Sequence, residues 1–177
     1  MQKLALCLGA VFAAAQANVL GFDFGSTFFK ITLVQPGSPF SIVENTTSKR
    51  KTASMMTIAN ENRLWSHDSF ASASRFPKTT FANSASFLSQ PFDQASLEKL
   101  ALDRFVLNDF VEDDRGLVAF QTFSVESKNK EDTTTTVYFS EEIVAMILRY
   151  GRTLAETQSN GIVKDAVITI PSYYNQE

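Results

Sequence analysis

After its seventh residue the chain contains no cysteine. Small extracellular scaffolds commonly depend on disulfides, so a cysteine-free body has to be held by packing alone, as a domain resident in a lumen would be. Histidine is almost as scarce. His67 stands by itself, and without a thiol or a second imidazole there is no ligand set for structural zinc. It reads as a surface residue. Charge is neither abundant nor one-sided: 16 Lys and Arg face 19 Asp and Glu, a formal net charge of −3. That balance offers no basic face to nucleic acid and none to an anionic membrane. No Gly-Lys-Ser or Gly-Lys-Thr occurs, which removes the P-loop. Past residue 17 no apolar run approaches the ~20 residues that a membrane-spanning helix needs.

What is present begins with a leader. MQKLALCLGAVFAAAQA, residues 1–17, carries Lys3, an apolar run from Leu4 to Ala15 and the small-x-small step Ala15-Gln16-Ala17. This is the layout of a cleaved secretory signal peptide. Residues 18–177 then form one domain or a large piece of one, burying roughly 70% of its unfolded surface. The last three residues, Asn175-Gln176-Glu177, do not spell a lumenal retention signal. The 16 phenylalanines read as core, with Phe81, Phe87 and Phe92 expected to be partly exposed.

Residues 19–24 and 28–34 read as strands joined in a hairpin by Gly25-Ser26-Thr27. Pro36-Gly37 and Pro39 mark a turn before a short strand at 40–43, and 55–58 is extended again. The stretch 70–92, interrupted at Pro77 and Pro91, predicts short helices. Residues 96–105 predict a helix capped by Ser96. Strands at 106–111 and 117–125 flank a turn at 113–116, and DFVEDD, 109–114, lacks the spacing of a calcium hand. Residues 128–132 would be an exposed tip before a strand at 133–139. Ser140-Glu141-Glu142 opens a long helix as a cap followed by acids at the positive end of the dipole. Ile143, Val144, Ile147, Leu148 and Leu154 share its apolar face, and Asn160-Gly161 ends it. A buried-type strand at 166–170 stops at Pro171. The order predicts mixed α/β with some antiparallel pairing.

The stretch VLGFDFGSTFFKITLV, 19–34, puts a lone Asp23 among apolar residues. Gly21 and Gly25 do not make a dinucleotide fingerprint, and Asp23-Phe24-Gly25 lacks the upstream elements of a protein kinase. A hairpin turn can still gather backbone N–H groups into a concavity for anionic oxygens. Glycine permits close approach, Ser26 and Thr27 add hydroxyl donors, and Asp23 offers a carboxylate for Mg²⁺ held through water. By itself such a turn is more often only a turn.

GFDFGSTFFK resembles the first phosphate motif of the heat shock protein 70 family. KRKTASMMTI (49–58), VYFSEEIVAMILRYGRTLAE (137–156) and DAVITIPSYYNQE (165–177) resemble later stretches of that family in the same order. The segment 69–92, with its Arg75-Phe76-Pro77 step, is similar to the large ER-lumenal branch, the group of the 170-kDa glucose-regulated protein and its fungal relatives. The resemblance implies an actin-like ATPase (ribonuclease-H-like) α/β fold, of which 18–177 would be the first lobe only. It implies ATP or ADP with Mg²⁺ as ligands. Asp23 would be catalytic and organise the metal. Gly25, Ser26, Thr27 and Phe28 would contact the phosphates, and Pro171 would be a hinge that senses nucleotide. It further implies an ER-lumenal chaperone that serves unfolded clients and exchanges nucleotide on the lumenal heat shock protein 70 chaperone.

Two departures from the family pattern matter. The family's catalytic lysine falls at Phe70, and no lysine stands between Lys51 and Lys78. Phe70 cannot stabilise charge on a transferring phosphoryl group, so hydrolysis should be slow or absent. The chain also stops before a second phosphate motif and a second lobe, which leaves weak nucleotide affinity and an uncovered last strand as expectations. The rival reading is a secreted, non-enzymatic, β-rich interaction protein. Asn45-Thr46-Thr47 is a glycosylation sequon, and Lys49-Arg50-Lys51 reads as a solvated charge run. Cleavage after Ala17 predicts Asn18 as the first residue of the protein recovered from a secretory host. N-terminal sequencing that begins at Met1 would refute the leader.

Overall fold

The computed structural model describes residues 18–59, 62–125, 133–172 and 174. The leader and the expected tip at 128–132 lie outside these. Eleven strands and three α-helices are described, forming three sheets. The first sheet joins β1 (Asn18–Phe24), β2 (Phe28–Val34), β3 (Ser41–Ile42), β4 (Thr52–Ala53) and β11 (Val163–Ile168). β1 and β2 pair antiparallel with Asp23 opposite Lys30, and β11 runs parallel to β1. The second sheet is β6 (Asn62–Trp65), β5 (Met55–Ala59) and β7 (Thr80–Ala82). The third is β10 (Thr133–Phe139), β9 (Val118–Val125) and β8 (Asp109–Glu112). α1 (Ser66–Ser72), α2 (Gln94–Arg104) and α3 (Ser140–Ser159) complete the fold.

The mixed α/β expectation and the first hairpin agree with this architecture. The helix starts do not. α2 begins two residues earlier than expected, because the Asp93 carboxylate accepts from the Ser96 N–H at 3.1 Å. Asp93, not Ser96, is the cap. In α3 the Glu142 carboxylate reaches back to the Phe139 N–H at 2.8 Å, so Phe139 stands at the cap and Ser140 is already helical. Strands at 52–53, 62–65 and 80–82 were also missed; β4 is set by pairing with β2. The register of β6 and β7 comes from pairing with β5 on its two sides, a long-range cause that local pattern does not carry.

Phe81 and Phe87 are fully buried, against expectation. They form an aromatic cluster with Phe110 and Phe120, ring centroids 5.2–5.6 Å apart. Edge-on and tilted rings of this kind fill the interior under the third sheet. Phe92 is half-buried against the same core. β8 starts at Asp109, leaving 106–108 as an approach in which Val106 is buried. β11 is shifted as well: it covers 163–168 and is exposed after Val163. Val167, Ile168 and Ile170 stand open to solvent, because β11 is the edge of its sheet.

α3 packs against both the first and third sheets. Its expected apolar face is real, with Ile143, Val144 and Ile147 buried. Gly151 belongs to the same contact, which its local pattern does not reveal. A Cβ there would lie 2.5 Å from Phe22 Cε2 and 2.9 Å from Ile31 Cδ1, and both neighbours are buried. Gly151→Ala gains about 1 kcal/mol of helix propensity but overpacks a full core, at about 1–3 kcal/mol. A net loss of stability is expected in urea unfolding; a more stable variant would show that the helix does not approach this closely.

Candidate functional site

The lone aspartate has a simple place. Leu20 and Phe22 point inward, so by strand alternation Asp23 falls on the opposite, solvent face. Its Oδ1 accepts from the Thr169 hydroxyl at 3.4 Å, and that hydroxyl accepts from the Phe24 N–H at 3.0 Å. Asp23 therefore sits where β1 meets the continuation of β11. Pro171 follows two residues after Thr169, and its carbonyl accepts from the Tyr174 N–H at 3.1 Å. The Tyr174 hydroxyl donates to the Ala85 carbonyl at 2.7 Å. Pro171 thus lies on the short path between the first sheet and the turn beneath the aromatic cluster.

The turn itself is tight. The Gly25 N–H donates to the Phe28 carbonyl at 3.1 Å, and a Cβ on Gly25 would lie 2.6 Å from that same oxygen. Glycine is required here for close backbone approach. Its N–H closes the turn, which leaves Ser26 and Thr27 at the tip. The Thr27 carbonyl accepts from the Ser54 N–H at 2.9 Å, tying the turn to the segment leading into β5.

Ser26, Thr27 and Phe28 form one wall of a cleft of about 670 Å³. Lys49 and Lys51 line it from the loop before β4, His67 and Phe70 from α1, and Arg104 and Phe105 from the end of α2. Among the described residues no Asp or Glu lines it. Lys51 Nζ stands 3.8 Å from the Phe28 ring centroid, a cation–π contact that holds the ammonium beside the turn. Arg104 is held by its carbonyl, which accepts from Asn83 Nδ2 at 3.1 Å. The elements beside it are tied together: Thr57 Oγ1 lies 2.7 Å from Ser69 Oγ and 2.8 Å from Thr80 Oγ1, a buried hydroxyl cluster joining α1 to β5 and β7. Hydroxyls, ammonium groups and a guanidinium around a space without carboxylates suit an anionic ligand carrying several oxygens.

The expected site is thus divided. Ser26, Thr27 and Phe28 share the cleft with Phe70, while Asp23 lies outside its wall. Among the described residues no three His, Cys, Asp or Glu side chains gather for a metal. A Mg²⁺ ion at Asp23 fits this donor set only if water and ligand oxygens complete its shell, which is the usual habit of the ion. Lys49 and Lys51 were read as a solvated run and Arg104 was not singled out. Lys49 and Lys51 line the cleft from a bend, while Arg50 between them pairs with Glu44 at 3.9 Å. Arg104 carried no local signal. His67 is exposed, as expected.

A family profile described as Hsp70 protein matches residues 19–177, and the chain belongs to that family. Its mixed sheets and helices fit the actin-like ATPase fold. The chain is 34% identical over 158 residues to hypoxia up-regulated protein 1 of Xenopus laevis, covering 89% of this chain and 23% of that protein. The Danio rerio protein of the same name is 33% identical over 183 residues, with 99% and 18% covered. The Homo sapiens protein is 33% identical over 160 residues, with 89% and 15% covered. These relatives agree with the large-member branch that residues 69–92 indicated. The chain spans less than a quarter of their length.

Gly25→Ala is expected to cost about 1–3 kcal/mol, the range for overpacking against atoms that cannot yield. Urea unfolding measures the loss, and hydrogen exchange at the residue-25 amide should speed up as its bond to Phe28 opens. Unchanged protection would mean that the turn is not closed as described.

Proposed function

We propose that the cleft binds the phosphates of ATP or ADP and that the chain is the first lobe of a nucleotide-binding domain. The observation that carries this reading is the union of the Gly-Ser-Thr turn with Lys49, Lys51 and Arg104 around a space without carboxylates. Ser26 and Thr27 would donate hydroxyl and backbone hydrogen bonds to phosphate oxygens, with Phe28 closing that wall and Gly25 allowing the approach. The lysines and Arg104 would balance the charge. Asp23 would hold Mg²⁺ through water at the β11 side. The metal would supply charge neutralisation for the phosphate oxygens.

Phe70 is 71% exposed on the α1 side of the same cleft. A phenyl ring there supplies no charge to a transferring phosphoryl group, so the nucleotide acts as a ligand that shapes the domain more than as a substrate. Pro171, between Thr169 and Tyr174, is suited to pass a change at Asp23 toward the 84–87 turn as a hinge. With its leader, the protein is proposed to work in the ER lumen as a chaperone for unfolded clients. There it would exchange nucleotide on the lumenal heat shock protein 70 chaperone. Family membership and the similarity to hypoxia up-regulated protein 1 support that role.

Titration with Mg-ADP, followed by amide chemical shifts, tests the cleft. Shifts are expected at Ser26, Thr27, Phe28 and Lys51, with no measurable phosphate release from Mg-ATP. Thr27→Ala removes a hydrogen bond to a charged group, worth about 1.5–3 kcal/mol, and should weaken binding roughly tenfold or more. No shift at millimolar nucleotide would favour a binding role for the exposed β11 face instead.

A further inference from the structure

Asn45 is the most heavily used polar side chain on the cleft wall. Its Oδ1 accepts from the Thr47 N–H at 3.0 Å, the Thr47 hydroxyl at 2.9 Å and the Lys49 N–H at 2.9 Å. Its Nδ2 donates to the Lys51 carbonyl at 3.3 Å. Its main chain adds two more bonds: the Asn45 N–H donates to the Lys49 carbonyl, and the Asn45 carbonyl accepts from the Ser48 N–H, each at 2.9 Å. One side chain therefore shapes the loop that delivers Lys49 and Lys51 to the cleft. The loop is anchored upstream by Gln158 of α3, which accepts from the Glu44 N–H at 2.9 Å and donates to the Ile42 carbonyl at 3.3 Å.

The same residue is the acceptor of an Asn-x-Thr sequon, and both Asn45 and Thr47 line the cleft. We propose that Asn45 is a control point, at which an N-linked glycan and an anionic ligand in the cleft oppose each other. The inference rests on the anion-binding reading above. In the modification, Nδ2 bonds to the anomeric carbon of a lipid-pyrophosphate-linked oligosaccharide. The sugar's C–O bond to pyrophosphate breaks, the lipid pyrophosphate leaves and Nδ2 loses one proton. The linkage thus replaces one of the two hydrogens of an amide that lines the cleft and donates to the Lys51 carbonyl. The first sugar ring then stands between the lysines and the Ser26-Thr27 tip. The bare amide instead holds the main chain of Lys49 and Lys51 in place.

The experiment uses the full chain made in a eukaryotic secretory host, its glycosylated and unglycosylated forms separated on a lectin column. Peptide mapping reads occupancy at Asn45, and each form is titrated with inorganic tripolyphosphate and with Mg-ADP, followed by the Lys49 and Lys51 amide shifts. The expected result is occupancy at Asn45 with binding about tenfold weaker in the glycosylated form. Equal binding by the two forms, or no glycan at Asn45, overturns the control point and leaves the anion cleft standing. No binding by the unglycosylated form overturns the cleft, and this inference with it.

Discussion

The close passage of α3 over the first sheet at Gly151 is the contact on which the rest of the structure depends. With no side chain at that position, the helix settles directly onto Phe22 and Ile31, one residue from each strand of the first hairpin. Phe22 and Ile31 face each other in register, so a single helical position locks the hairpin from above. The same helix also packs on β9, β10 and the 84–87 turn. It therefore holds the aromatic cluster and the first hairpin in one continuous core.

From there the site follows by short steps. α3 ends at Asn160, whose left-handed backbone reverses the chain into β11. The Glu156 carboxylate accepts from the Val163 N–H at 3.0 Å and from Arg152, and so sets the first residue of β11 against the helix. The Val163 bond is the main reason the Glu156 carboxyl lies below its ordinary range. Running parallel to β1, β11 then carries Thr169 to Asp23. On the other side, Gln158 grips the start of the loop that presents Lys49 and Lys51. Both halves of the divided site, carboxylate and cationic cleft, are thus placed by the last two turns of one helix.

The divided arrangement has a chemical consequence. A cleft walled by cations, hydroxyls and phenyl rings favours a multiply charged anion with a planar or apolar part. Among the described residues it holds no carboxylate that could activate water within the cleft itself. The exposed phenyl groups of Phe70 and Phe105 are then accounted for as lining. Phe105 adopts a positive φ of 55°, which is uncommon for a bulky residue; its N–H bonds back to the end of α2 as the helix terminates.

Much of this was written locally. Strand alternation alone explains Asp23 on the open face, and Gly25 announces a turn because a Cβ there would meet the Phe28 carbonyl. The apolar face of α3 and its Asn160-Gly161 stop are likewise short-range. Other features had no local cause. Phe81 and Phe87 are buried only because β8 and β9 fold over them, and the strands at 62–65 and 80–82 exist only through pairing with β5. Asp93 displaced Ser96 as a cap because its carboxylate takes the Ser96 N–H and leaves Ser96 inside the first turn. Arg104 reached the cleft because Asn83, distant in sequence, holds its carbonyl. The sequence by itself determined the first hairpin with its phosphate-like turn and the long helix α3, since those depend on neighbours within a few residues. Only the tertiary structure decided which charges meet that turn, because that meeting requires α1, α2 and the 44–51 loop to converge from separate parts of the chain.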